Sequence, residues 1–230
     1  MRQFTVIVTL LIMLIAIDAS AETRQLNFTD FDEVSVGYGM RVSINQGTTY
    51  RVEAIGSAAD LDRLRVKHLA SRLIFSVNPG FWGLFQSGRI SLNITLPALR
   101  KLDLSGGSDG TLDVQRGSSA FGAALSGGSR LSGQLTCGDI QLSLSGGSRV
   151  GLSATGQNLV LDGSGGSQYD LKNFPVKHVA SSLSGGSQAT VTLNGEIDGD
   201  LSGGSHIIYF GNATLAAVRT SGGSRVRRGL

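Results

Sequence analysis

The sequence predicts an all-β fold, a parallel β-helix (β-solenoid) with coils of about 19 residues, from three observations. The tetrapeptide Ser-Gly-Gly-Ser occurs seven times, beginning at residues 105, 126, 145, 164, 184, 202 and 221. On both sides of most copies apolar residues alternate with polar ones, the period of a strand with one buried face. The units contain no 3.6-residue apolar period long enough for a helix, which excludes a helical solenoid.

The glycine pairs of these units are the predicted corners of the coils. A sharp bend between strands often requires positive φ, and glycine adopts it because it has no Cβ. In a stack of such coils the leucines before the corners would fill the interior, and the serines would form ladders in which each hydroxyl donates to the next coil. The alternative, a flexible Gly/Ser linker, gives no reason for leucines to stay at the same alternating positions before most of the copies. The corner glycines are Gly106, Gly107, Gly127, Gly128, Gly146, Gly147, Gly165, Gly166, Gly185, Gly186, Gly203, Gly204, Gly222 and Gly223.

Residues 1–21 have the pattern of a secretory signal peptide. A short basic start precedes the apolar run Phe4–Ile17, and Ala19-Ser20-Ala21 fits the small-residue cleavage pattern. The run has 14 residues, fewer than the roughly 20 that a membrane span needs. An uncleaved anchor is the alternative. The protein is therefore predicted to be exported to the periplasm, the outer membrane or the extracellular space, with no transmembrane segment after residue 21.

Residues 22–230 are predicted to form one solenoid domain with two parts. Residues 22–100 lack the tetrapeptide and would supply irregular strands and a cap, because an open solenoid end exposes unpaired amides and apolar side chains. Residues 101–228 would form the regular coils. In the first part, Val34–Val42 resembles a degraded repeat with Gly37 and Gly39 at its bend. Strands are predicted at 50–55, 72–77 and 89–96, and a helical turn or two at 58–64.

These segments resemble the bacterial auto-transporter adhesin family that carries the head GIN domain. The resemblance rests on Phe31-x-x-Val34-x-Val36, on Val42-x-Ile44-x-Gln46-Gly47, on Ile94-Thr95-Leu96-Pro97 and on the following Leu-Ser-Gly-Gly-Ser units. It covers about residues 28–225. The family commonly has Ser-Gly-Ala-Ser at the corner, whereas this chain has Gly at the third position throughout. The resemblance implies an exported β-helical envelope protein, and with the preference for right-handed crossovers it favours a right-handed coil. It supplies no catalytic residues.

Composition excludes several function classes. The net charge of +3 is small and evenly spread, so nucleic-acid binding is not predicted. The single cysteine, Cys137, cannot form a disulfide within the chain. The histidines His68, His178 and His206 have no partner at metal-ligand spacing in the sequence. No metal site and no cofactor is therefore predicted.

Two sets of residues remain as candidate sites. Asp162 and Asp200 lie on the outward column two coils apart, about 10 Å, near the separation used by inverting glycosidases. Phe81, Trp82 and Phe85 follow an Asn-Pro-Gly turn and would form either a binding tip or a cap over the solenoid end.

The sequence favours a non-enzymatic envelope protein, an adhesin-like or scaffold module that presents a repetitive face to a cell-surface glycan or an envelope protein. That face could include the polar column Arg130, Arg149, Gln168, Gln188 and His206. One alternative is a carbohydrate-active enzyme, a polysaccharide lyase or glycosidase that uses Asp162 and Asp200. The other is a self-assembling homo-oligomeric module.

Overall fold

The computed structural model describes residues 21–78, 90–115 and 119–230. All but the last residue of the predicted signal peptide lies outside this range, and so do Phe81, Trp82 and Phe85. The described chain is a β-solenoid of about seven turns with coils about 19 residues apart, as the repeat predicted. Within it, no helix is long and apolar enough to cross a membrane.

Each regular coil contributes one strand before its Ser-Gly-Gly-Ser corner and one strand after it. The strands before the corners pair in parallel as the first sheet, which contains β2 (Glu33–Val36), β8 (Lys101–Leu104), β10 (Ala120–Leu125), β12 (Asp139–Leu144), β14 (Asn158–Gly163) and β18 (Ala213–Thr220). The strands after the corners form the second sheet, which contains β3 (Arg41–Gln46), β9 (Asp109–Val114), β11 (Arg130–Thr136), β13 (Arg149–Thr155), β17 (His206–Phe210) and β19 (Arg225–Arg228). Two long strands, β15 (Gln168–Leu183) and β16 (Gln188–Leu201), begin in the second sheet and end in the first.

The register aligns equivalent residues of successive coils. Phe121 pairs with Ile140, Ile140 with Leu159, and Leu159 with Val179. All four are at most 2% exposed, so they form one interior column of the core. The alternation in the sequence therefore identified the buried face correctly.

A second interior column lies directly before the corners. In one coil this column lacks a leucine, and a tyrosine side chain fills the space. Gly163 stands where neighbouring coils have Leu144 and Leu183. A Cβ on Gly163 would lie 3.0 Å from the Tyr169 hydroxyl and 2.7 Å from a Leu183 methyl group. Tyr169 is 2% exposed, and its Oη donates a hydrogen bond to the carbonyl of Asp162. The buried ring therefore replaces the missing side chain and satisfies its own hydroxyl.

The corners are turns in which both glycines have positive φ, as in the type I′ turn. In the coil that contains Gly146 and Gly147, φ is 62° and 74°. The amide of Ser148 donates to the carbonyl of Ser145 across this turn at 3.3 Å. The first glycines stack on one another, since a Cβ on Gly146 would lie 3.1 Å from the nitrogen of Gly127.

The serine ladder differs from the prediction. The last serine of each corner points inward, and six of these serines are completely buried: Ser108, Ser129, Ser148, Ser167, Ser187 and Ser205. Each donates its hydroxyl hydrogen bond to the first serine's carbonyl in its own corner at 2.7–2.8 Å, not to the next coil. Backbone amides instead join the coils, for example Ser126 N–H to the carbonyl of Leu104 at 2.9 Å. The buried hydroxyl therefore finds its acceptor within its own turn, and hydrogen bonds between backbone groups connect the coils.

The N-terminal part extends the same two sheets in an order that does not follow the chain. The coil formed by β2 and β3 stacks directly on β8 and β9. Outside it lie β6 (Arg72–Val77) and β7 (Ser91–Leu96), which pair in parallel with β2 and β3. Gly37 and Gly39 lie at the bend between β2 and β3 as predicted, and the residues with positive φ there are Tyr38 and Gly39.

Antiparallel strands cover the outer edge of this end. The strand β4 (Arg51–Gly56) pairs with β7, β1 (Glu22–Leu26) pairs with β4, and β5 (Leu64–Leu69) pairs with β6. Between β4 and β5 lies the helix α1 (Ala58–Arg63), which begins where the side chain of Ser57 accepts the Asp60 amide. The strands and the short helix predicted here are confirmed within one or two residues at each end.

Candidate functional site

A groove runs along the outer surface of the first sheet beside the corners, and we call it the serine groove. Its volume is about 520 Å³. It crosses five coils, which spans about 20 Å at the usual strand spacing. The lining residues are mostly small: Asp103, Leu104, Ser105, Ala124, Leu125, Ser126, Ser143, Leu144, Ser145, Asp162, Gly163, Ser164, Ser182 and Ser184.

The groove follows from the composition of the repeat. The outward residue before each corner is Ala124, Ser143 or Ser182 in three of these coils, and the first corner serine lies two residues further along. Because these side chains are short, the surface is concave along the stack and presents hydroxyl groups at coil spacing. Each hydroxyl can both donate and accept a hydrogen bond. The groove therefore suits an extended ligand that carries hydrogen-bonding groups at a regular spacing.

Charged residues mark the N-terminal end of the groove. Asp103 lies 3.8 Å from the Lys101 ammonium and 3.7 Å from a guanidinium nitrogen of Arg72. Arg72 also binds Glu33 at 2.8 Å, and Glu33 contacts Arg100 at 2.7 Å. This network connects the coils on either side of β2, and it gives the end of the groove both signs of charge.

The structure places Asp162 and Asp200 as the sequence predicted, on one outward column with Ser182 between them. Asp162 lines the groove and accepts hydrogen bonds from Gln141 at 3.3 Å and Ser143 at 3.4 Å. Asp200 lies beyond the groove residues and faces Arg219 at 3.5 Å. The two carboxylates thus have separate partners, and the groove brings only Asp162 to its surface.

The polar column of the second sheet is also aligned as predicted. The register places Arg130, Arg149, Gln168, Gln188 and His206 in successive coils. Two of these side chains bond to each other, because Arg149 Nε donates to Gln168 Oε1 at 2.9 Å. Arg130 lies 3.6 Å from Asp109 of the preceding coil. This column therefore places long polar side chains side by side on successive coils, in contrast to the short side chains of the serine groove.

A cluster that the sequence reasoning missed lies on the outward face of the first sheet. His178, Glu196 and Asp198 bring their nitrogen and oxygen ligand atoms within 4.8 Å of one another. His178 Nε2 and Asp198 Oδ2 are 2.7 Å apart. The hydrogen bond from His178, with a smaller contribution from the Ala217 amide, holds the pKa of Asp198 below its usual value.

A signal for this cluster was available in the sequence. His178 and Glu196 are 18 residues apart, which is one coil, so a search for partners one coil away would have paired them. His178 thus has no ligand-type partner at metal-ligand spacing along the chain, but it has two such partners one coil away across the stack.

Comparison with known proteins gives one family and several solved structures. The model of the family described as "Putative auto-transporter adhesin, head GIN domain" matches residues 30–213. No curated protein matches the chain.

The solved structures share the fold at low sequence identity. A putative adhesin from Bacteroides fragilis is 19% identical with a TM-score of 0.78, and the alignment covers 91% of this chain and 97% of that one. A putative adhesin from Parabacteroides merdae is 12% identical with a TM-score of 0.68, covering 93% and 98%. A protein from Parabacteroides distasonis described as a putative lipid binding protein is also 12% identical, with a TM-score of 0.66 and coverage of 93% and 98%.

Proposed function

Because this chain belongs to the auto-transporter adhesin family with the head GIN domain, we propose that it is an exported, non-enzymatic binding module of the bacterial envelope. Its ligand is a surface polysaccharide that lies along the serine groove. The proposed location agrees with the predicted signal peptide and with the adhesin names of its structural neighbours. The observation that carries the proposal is the continuous groove, which repeats hydroxyl groups across five coils.

The chemistry of the groove suits a glycan. Sugar hydroxyls both donate and accept hydrogen bonds, and serine hydroxyls can match either role. The repeated spacing lets successive sugar units make similar contacts, so many weak contacts add up along the chain. The coils are joined by backbone hydrogen bonds, for example Arg149 N–H to Ser129 O at 2.9 Å. A groove on such a scaffold loses little conformational entropy when a ligand binds.

The test is a binding assay with immobilised bacterial polysaccharides: capsule, O-antigen and peptidoglycan. The chain should bind at least one of them, and Ser143→Tyr, which fills the middle of the groove, should reduce that binding more than tenfold. Ser132→Tyr is the matched control, because Ser132 is an exposed strand serine on the second sheet, away from the groove residues. Absence of binding to all three, or equal binding by both variants, would refute the proposal.

The same preparations separate the enzyme alternative. A polysaccharide lyase or glycosidase would release new chain ends from the bound polymer, and Asp162→Asn would abolish their release. A binding module leaves the polymer length unchanged over hours. Product release that depends on Asp162 would replace the binding proposal with the enzymatic one.

A further inference from the structure

We propose that His178, Glu196 and Asp198 form a binding site for a divalent transition-metal ion, with zinc as the representative ion. The site is separate from the serine groove, because none of the three residues lines it. It lies on the outward face of the first sheet, where the second half of β15 pairs with the second half of β16.

The register brings the three side chains to the same side of the sheet. His178 pairs directly with Glu196 across the two coils. Asp198 follows Glu196 by two residues, and side chains two apart on a strand point to the same face. Ile197, the residue between Glu196 and Asp198, points to the opposite face and is completely buried in the core. Three ligand-type side chains from two adjacent coils thus converge outside the sheet.

The distances fit coordination by one ion. Zinc binds imidazole nitrogen and carboxylate oxygen at about 2.0–2.2 Å, so two ligands at a tetrahedral angle lie about 3.4 Å apart. The three ligand atoms here all lie within 4.8 Å of one another, and His178 Nε2 lies 2.7 Å from Asp198 Oδ2. Glu196 is exposed, so its side chain can move the remaining distance without disturbing the core.

A local irregularity of the sheet orients the aspartate. Ile197 pairs with Leu215 but Gly199 pairs with Val218, so β18 has one extra residue opposite Asp198. This bulge directs the Ala217 amide to Asp198 Oδ1 at 2.8 Å. One carboxylate oxygen is thereby fixed and the other faces His178. Such outer hydrogen bonds orient metal ligands, and bulges often re-aim side chains near functional sites.

The donor set selects the class of ion. Imidazole nitrogen suits zinc, nickel and copper, whereas calcium and magnesium prefer sites built from oxygen atoms alone. Three protein ligands leave a coordination position for water or for a group on a partner molecule. The simpler arrangement is a surface His–Asp hydrogen bond without a metal. That arrangement does not need Glu196, so Glu196 discriminates between the two.

The experiment is calorimetric titration of the tag-free chain with zinc chloride, in the presence of an excess of calcium and magnesium. We expect one saturable zinc site. Glu196→Gln and His178→Gln should each weaken zinc binding by more than about tenfold. Asp200→Asn and His206→Gln are the matched controls, since they alter an exposed carboxylate and a histidine outside the cluster, and they should leave the affinity unchanged.

Cobalt substitution gives a second readout, because imidazole ligation changes the visible absorption of the bound ion. The band should appear with the unaltered chain and be lost in His178→Gln. The exposed Glu196 makes Glu196→Gln the variant least prone to misfold, so it tests the proposal even if others fail to fold. No saturable zinc binding, displacement by calcium, or unchanged affinity in Glu196→Gln would overturn the proposal.

Discussion

The two glycines of each corner obey different constraints, although both have positive φ. At Gly185 and Gly186 φ is 64° and 78°. A Cβ on Gly185 would lie 2.9 Å from the backbone nitrogen of Gly165, whereas a Cβ on Gly186 would meet no atom within 4 Å. Tyr38 shows that the first position can hold a side chain at φ of 61°. It does so in the corner between β2 and β3, the coil that stacks on β8 and β9.

We therefore expect Gly185→Ala to destabilise the protein more than Gly186→Ala. Both substitutions force an L-residue into the left-handed region, which costs about 1–2 kcal/mol. Gly185→Ala also pushes neighbouring coils apart and should cost about 1 kcal/mol more. Urea unfolding of both variants measures the difference. Gly122→Ala, at an open strand position with no strained φ, is the control, and equal losses for the two corner variants would contradict the stacking argument.

The buried thiol of Cys137 gives a pH prediction. Burial, with a smaller effect of the Asp139 charge, raises its pKa from 9.0 to about 12. Between these values the unfolded chain loses the thiol proton and the folded chain keeps it. The contribution of the protonated Cys137 thiol to the free energy of unfolding is therefore complete below pH 9, and it declines as the pH rises toward 12.

Two measurements check this. The free energy of unfolding should decline less steeply between pH 8 and pH 10.5 in Cys137→Ala than in the unaltered chain. At pH 8 a thiol-specific reagent should react with Cys137 only after unfolding, because the thiolate is the reactive form. Rapid labelling of the folded chain would show that the thiol is accessible and ionised.

Among the elements, the edge strand β19 carries charged side chains at one end of the described stack. In the described chain β19 pairs with β17 alone, so its other edge offers unpaired amides and carbonyls. Arg225 and Arg227 are exposed on this strand. Charged side chains on an edge strand oppose pairing with another chain.

Replacing Arg225 and Arg227 together with threonine should increase self-association, because threonine favours strand pairing and removes the repulsion. Light scattering after size-exclusion chromatography should show a dimer or larger species that grows with protein concentration. The control is Arg130 and Arg149 replaced together by threonine, since both lie on interior strands of the second sheet. Both double variants remaining monomeric would mean that the arginines do not protect the edge.

The regular elements could be predicted because their determinants are local. Leu142 and Leu144 alternate with polar residues beside a glycine corner, and most coils repeat the alternation of buried and polar residues. The position of β2 could not be read in this way, because it pairs with β8 across more than sixty residues and is also flanked by β6. In the cluster at His178, the one-coil spacing from His178 to Glu196 is visible in the sequence, but the bulge in β18 that orients Asp198 is not.

On the scale of the whole molecule, the two ends of the solenoid differ. The N-terminal end contributes large buried side chains, including Phe31, Phe75 and Met40, and it ends in antiparallel strands. The C-terminal end finishes with β18 and β19, whose exposed residues contribute little to the core. In a stack where each coil contacts only its neighbours, the contribution of an end coil to stability depends on how much apolar surface of the next coil it covers.

Truncation should therefore act asymmetrically. A fragment of residues 101–230 lacks everything outside β8 and β9, so it exposes Leu102, Leu104 and Leu112 at a flat parallel edge and should aggregate. A fragment of residues 22–212 loses only β18 and β19 and should stay folded with a lower melting temperature, because the coil it exposes is already regular. Size-exclusion chromatography and circular dichroism of both fragments distinguish these outcomes. A monomeric, folded 101–230 fragment would mean that the regular coils are stable without the N-terminal strands.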